Sequence, residues 1–283
     1  MTNTNKKVVS ILVGEEKLSF TSESKRSIDI EVLLLNIPLF ALIILLGLGY
    51  IPWPLFILIF YPIAMRIFIA NHDRYHADQK IRLSPFYEAI SEGLAVVVTP
   101  WDEPNDSIRK KHLKHHASHA HGKTSAFDTK SDPHSVFEHG GFIRVLFSCL
   151  FYEETQLFLD IRDGNLTKSR LYRFLIYVPL QAVFIVFFGW SKFLLVLLAM
   201  RIVGFTAWFV FSWVIHQSYI YNLGFSNKVP KLFKWLFALL HGRRVTEGCL
   251  HHAAHHAWPG IPYNQLYKFD SAVIRNPDSS PEM

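Results

Sequence analysis

Four long apolar runs constrain this chain more than any other feature of its sequence. The first extends from Val32 to Tyr50 with no charge after Glu31, and the second from Leu55 to about Ala70. A Pro52-Trp53-Pro54 turn separates them. The third extends from Phe174 to Trp190 and the fourth from Phe193 to about Ile215, with only Ser191-Lys192 between them. A helix of about 20 residues crosses a bilayer core, and a lipid-exposed backbone must satisfy its own hydrogen bonds, which favours helices. The chain is therefore read as an all-α integral membrane protein with four transmembrane helices in two hairpins.

The two turns lie on one side of such a bundle and carry one basic residue, Lys192. The flanks and the middle segment carry Lys25, Arg26, Arg74, Lys80, Arg82, Arg109, Lys110, Lys111, Lys114, Arg243 and Arg244. The positive-inside rule then places both termini and the middle segment in the cytoplasm. This reading also accounts for a net charge of +6. Zinc-finger spacing, RNP-type motifs and Lys/Arg-rich helices are absent, so nucleic acid is not expected as a partner. Charged residues make up 18% of the chain and hydrophobic ones 50%, which excludes a disordered chain. Cys149 and Cys249 are far apart and in no CxxC pair, so a thiolate metal site is excluded.

Met1 to Ser27 lacks the short apolar core of a cleavable signal peptide. Residues 1–27 are read as a flexible cytoplasmic N-terminus, 28–275 as a single domain and 276–283 as a flexible tail. Within the domain, Phe86 to Val98 and Phe142 to Ile161 are apolar but interrupted by charges, and read as interfacial or buried helices. Lys231 to Leu240 reads as a further amphipathic helix.

Fifteen histidines occur in 283 residues, and most fall into three groups. His72 and His76 (HDRYH) sit where the second run ends, four residues apart and so on one helical face. His112, His115, His116 and His119 (HLKHHASH) follow an i, i+3, i+4, i+7 pattern on one stripe, with Asp106 or Ser107 as a cap. His252, His255 and His256 (HHAAHH) repeat the i, i+3, i+4 spacing, and Pro259 limits the helix that follows. His216 stands alone at the end of the fourth run, level with the others in the expected topology. Imidazole suits Fe, Zn, Cu and Ni. One tetrahedral zinc takes four ligands, so this many histidines oversupply it, whereas two metal ions would use them. Nitrogen ligands without thiolates suit iron that activates O2. A His-rich cap on a four-span base thus suggests a di-iron oxygenase acting on a lipid chain.

HDRYH, then HLKHH, then HHAAHHAWPGIPYNQL resembles the membrane fatty acid desaturase superfamily over roughly residues 32–270. The resemblance implies a cytoplasmic helical cap holding a di-iron site, and a substrate tunnel leading to it. It implies as metal ligands His72, His76, His112, His115, His116, His216, His252, His255 and His256. It also fits two Fe ions, O2 as co-substrate and a lipid or acyl substrate; with no haem, flavin or CxxC iron–sulfur pattern in the chain, an external electron donor of ferredoxin or cytochrome type is expected. Some members carry an Asn four residues before the fourth-span His, and this chain has Ser212 there. Asp132-Pro133 and His139-Gly140-Gly141 resemble bacterial carotenoid ketolases of the same superfamily, which keeps a hydroxylase or ketolase beside the acyl desaturase. A membrane metal-binding or transport protein is the non-enzymatic alternative. Transport would place ionisable groups inside the spans, whereas the histidines cluster outside them.

The remaining polar groups take supporting roles. His119 is read as structural support, and His121, His134, His139, His241 and His251 as orienting or surface residues. Asp73, Asp128, Asp132 and Glu247 are candidates to orient the imidazoles. Arg201 is expected to snorkel or to pair with another helix. Trp208, Phe209, Phe211 and Trp213 either line a tunnel or simply pack.

Overall fold

The computed structural model describes residues 8–13, 16–21, 25–76, 108–113, 116, 142–162, 164, 166–216, 229–259, 261 and 263–268. For residues up to 29, and for 73, 74, 169, 211, 212, 216, 253, 257, 264 and 268, that description is of backbone alone. Asp128, Asp132, His115, His119, His121, His134, His139 and the segment Phe86–Val98 lie outside the described residues.

The chain opens with two antiparallel strands, β1 (Val8–Val13) and β2 (Glu16–Thr21), paired from Val8 opposite Thr21 to Val13 opposite Glu16. This short hairpin precedes a chain that is otherwise helical among the described residues. Short runs such as VVSILV carry the β-branched residues that strands favour, and two runs joined by a two-residue link suit a hairpin.

Helices follow. α1 (Lys25–Gly47) and α2 (Trp53–His76) hold the first two apolar runs. α3 (Phe142–Leu150) and α4 (Tyr152–Arg162) fill the middle segment, and α5 (Lys168–Phe188) and α6 (Trp190–Thr206) hold the last two runs. Among the described residues, four stretches are long and apolar enough to span a bilayer: Ile30–Gly47, Trp53–His72, Arg170–Phe188 and Trp190–Val210. Gly189 makes the turn between α5 and α6 possible; its φ of 85° costs other residues strain, while its N–H still reaches Ile185 O at 2.8 Å.

Packing separates the spans. Leu39, Leu42 and Leu46 of α1, Phe56, Phe60 and Met65 of α2, and Val196, Ala199 and Val203 of α6 form one buried cluster. α5 is the outer member, with only 6% of its apolar stretch buried. Side chains such as Ile176, Val186 and Phe187 point outward. An apolar helix that buries so little of itself against protein has lipid as its solvent, because water would leave a large exposed apolar patch.

The fourth apolar run is not one regular helix, as its sequence suggested. After Thr206 the backbone takes up a π-helix over Ala207–Trp213 and then a 3-10 turn over Val214–His216. The segment AWFVFSW is aromatic-rich, and Phe205, Phe209 and Trp213 stack in series at 5.4 and 5.1 Å. An inserted residue turns the following face by about 100° relative to an unbroken helix, and π-bulges are frequent at functional sites.

α3 and α4 lie against this irregular segment. Val145, Cys149 and Tyr152 are buried beside Phe205, Trp208, Phe209 and Trp213, and Tyr152 stacks on Trp208 at 3.5 Å. At this level the aromatic residues pack on one another. Arg201 pairs rather than snorkels: it reaches Glu153 Oε2 at 3.0 Å, Glu154 Oε2 at 2.8 Å and Leu150 O at 3.3 Å. Arg201→Met would remove the guanidinium that Glu153 and Glu154 share. The groups are only partly buried, so the cost falls below the about 3–5 kcal/mol of a fully buried pair. The variant is expected to show a clearly lower melting temperature in detergent; an unchanged one would mean that the pair contributes nothing.

A candidate metal centre

Three clusters of contacts bring the histidine groups together at the end of the bundle where α2 finishes. α2 runs on past its membrane stretch, carrying His72 and His76 on one face with ring centroids 5.2 Å apart. The helical backbone at 108–113 and at 116 presents His112 and His116. It is held in place by Lys111, whose Nζ donates to Gln156 Oε1 at 3.1 Å and lies 3.6 Å from Asp160 Oδ1. Asp160 also takes Arg170 Nη1 at 2.5 Å, which ties α4 to the start of α5. The third group rides on α8 (Arg243–Leu250) and α9 (His252–Ala257), which follow the amphipathic α7 (Lys231–His241). Ile69, Ile215, Val245, Cys249, Ala254, Trp258, Ile261 and Tyr263 form the apolar floor beneath these groups.

The ligand atoms of His72, His76, His112, His116 and His255 all lie within 4.8 Å of one another. His76 Nε2 is 2.8 Å from His112 Nε2, and His112 Nε2 is 3.0 Å from His116 Nε2. A second pair adjoins them: His252 Nε2 and His256 Nε2 are 3.0 Å apart, and the His256 ring stacks on His116 at 4.2 Å. Seven of the nine expected histidines therefore converge. The other two are His115, outside the described residues, and His216, for which the backbone alone is described. That backbone follows Ile215, which is 1% exposed in the floor.

The arrangement fits metal ions. Two imidazole nitrogens bound to one ion at about 2.0–2.1 Å lie about 3 Å apart when the angle at the metal is near 90°. The three nitrogen pairs have this separation. Two of the donors, His76 and His116, are also held in the form that a metal needs. Burial, reinforced by the charges of His72, Arg109 and His252, holds His76 well below the ordinary imidazole value. Burial and the neighbouring His256, His76, His112 and His255 do the same to His116. Both rings are thus neutral, with a lone pair to offer.

These shifts carry a pH dependence. In the unfolded chain both groups protonate near 6.5, whereas in the folded protein they resist protonation to lower pH. Below 6.5 the unfolded state binds more protons, so stability falls as the pH drops. Metal-stripped protein is expected to melt at progressively lower temperature as the pH passes below 6.5. A flat profile would show that these rings are not held neutral.

The other sequence candidates divide. His241 is buried but lies away from the cluster, bonding Tyr61 Oη at 2.7 Å and Phe237 O at 3.0 Å. His251 is buried and bonds Glu247 at 3.2 Å, and Glu247 also meets Arg243 at 3.5 Å. Glu247 thus shows contacts to these two groups and not, among the described residues, to a box histidine. The side chains of Asp73 and Ser212 lie outside the description. The sequence reading gave Tyr263 no role, yet its Oη sits 2.6 Å from His72 Nδ1.

Four membrane-length helices with a convergent histidine cluster at one end give a membrane protein with a site able to hold metal. The model of the fatty acid desaturase family matches residues 48–278. The match covers well over half of the chain, so the protein belongs to the fatty acid desaturase family, a family of membrane oxidoreductases. Comparison with curated proteins and with solved structures gives no match.

Proposed function

We propose that the protein is an O2-dependent di-iron enzyme that introduces a C=C bond into a fatty acyl chain within the membrane. The observation that carries this reading is the convergence of five imidazoles within 4.8 Å in a chain of the desaturase family. His72, His76, His112, His115, His116, His216, His252, His255 and His256 would hold two iron ions between them. Bound iron would supply the activation of O2 that an unactivated methylene requires. The residues of the chain contribute position and shelter. The neutral rings of His76 and His116 bind without first losing a proton, and Trp258, Ile261 and Tyr263 close the floor against water. Holding one C–H in place is positioning catalysis.

The electrons constrain the partner. Removing two hydrogens from the chain yields two of the four electrons that reduce O2 to two waters, so two more must come from outside. The sequence carries no haem, flavin or CxxC iron–sulfur pattern. A ferredoxin or cytochrome docked on the basic side of the bundle would supply them. In this account the spans form two hairpins, and the metal cap and both termini face the cytoplasm. A reporter fused after Met283 is expected to be active only inside the cell; activity only outside would reverse the topology.

The test of function is lipid mass spectrometry on cells with and without the gene. A product two mass units below its precursor, formed only in air, is expected. A hydroxylated lipid or an oxidised carotenoid would instead support the hydroxylase or ketolase reading suggested by Asp132-Pro133 and His139-Gly140-Gly141. An unchanged lipid profile together with metal-dependent transport would favour the non-enzymatic reading.

A further inference from the structure

We propose that Tyr263 is a positioning residue for His72, and that Gly248 provides the slot into which its ring fits; this rests on the reading of His72 as a metal ligand. Three segments distant in sequence meet here. His72 comes from the end of α2, Gly248 from α8, and Tyr263 opens the 3-10 turn Tyr263–Lys268 beyond the third histidine group. Tyr263 is buried in the apolar floor with Ile261 and Leu266. Its ring lies nearly parallel to His72, at 5.8 Å and 23°, and 5.0 Å from His255. Its Oη is 2.6 Å from His72 Nδ1.

The fit depends on the missing side chain at position 248. A Cβ there would come within 2.6, 2.9 and 3.0 Å of Tyr263 Cε1, Cδ1 and Cζ. Real Cβ atoms essentially never come closer than 3.0 Å, so the ring would have to move. A buried ring packed on two imidazoles has little freedom to do so.

The chemical consequence follows from imidazole itself. A neutral ring that binds a metal through one nitrogen carries its proton on the other, and that N–H needs an acceptor. With Nδ1 facing the phenol, the N–H at Nδ1 donates to Tyr263 Oη. Nε2 is then the nitrogen free to serve the cluster. This contact fixes both the tautomer and the ring plane of His72, a role that carboxylates, backbone carbonyls or water more often fill.

The test compares iron retention in full-length, detergent-purified wild type, Tyr263→Phe, Gly248→Ala and His72→Ala, using a ferrous chelator and following iron release. Melting temperatures of the metal-free forms serve as a fold control. Tyr263→Phe keeps the ring and loses only the oxygen. It should release iron about 10–100-fold faster than wild type, with a near-wild-type metal-free melting temperature. Gly248→Ala keeps the hydroxyl but displaces the ring, and should have the same effect; it decides the question if Tyr263→Phe does not fold. His72→Ala should bind less iron from the outset. Wild-type retention by Tyr263→Phe alongside iron loss in His72→Ala would overturn the proposal while leaving His72 a ligand. Wild-type retention by His72→Ala would instead refute the assignment of His72, and the role of Tyr263 with it.

Discussion

His255→Ala is expected to strip iron from the protein and lower product formation by more than a hundredfold. His255 is 1% exposed, and its ring lies within 5.0 Å of the rings of His72, His76, His116 and Tyr263. It comes from the third histidine group, yet sits among the first two. Deleting it therefore removes the donor that links segments from opposite ends of the chain. Loss of a group that merely orients a ligand costs about 10–100-fold, and loss of a central donor should cost more. Iron analysis and turnover on the same preparation check this. Iron content and turnover within a few-fold of wild type would place the metal elsewhere.

His216→Ala should likewise reduce iron content and activity by well over tenfold, whereas His241→Ala should be far milder. Both histidines end a helical segment, and both stand outside the three histidine groups. His241 is fully engaged by Tyr61 and Phe237, so its loss costs packing and two hydrogen bonds but no metal. His216 ends the 3-10 turn that follows the π-helix, one residue beyond Ile215 in the floor of the histidine cluster. Eight box histidines leave room for one more at a two-metal site. Equal and mild effects of the two substitutions, with iron unchanged, would make His216 an ordinary interfacial residue.

The spans were legible in the sequence because hydropathy over some 20 residues is a strong signal that needs no partner. The i, i+3, i+4 spacings were legible for a related reason: helical periodicity alone puts His112 with His116, and His252 with His256, on common faces. Periodicity does not encode the break at Ala207. AWFVFSW reads as a continuation of the fourth run, and only the stacking of Phe205, Phe209 and Trp213 against α3 and α4 accompanies the π-helix. Arg201 was open between snorkelling and pairing, because its partners Glu153 and Glu154 are 48 and 47 residues away. The β-hairpin at residues 8–21 is less legible, because an apolar run as short as VVSILV does not separate strand from helix by periodicity. Tyr263 lies within HHAAHHAWPGIPYNQL, but local spacing carries no sign of its partner His72, 191 residues earlier.

The most direct measurement is the metal content of purified, full-length protein expressed in iron-replete cells, with the oxidation state followed by Mössbauer spectroscopy. Two iron atoms per chain in a coupled, nitrogen-ligated pair, lost together in His255→Ala, is the expected result. One zinc and no iron per chain, unchanged in His255→Ala, would contradict the di-iron account.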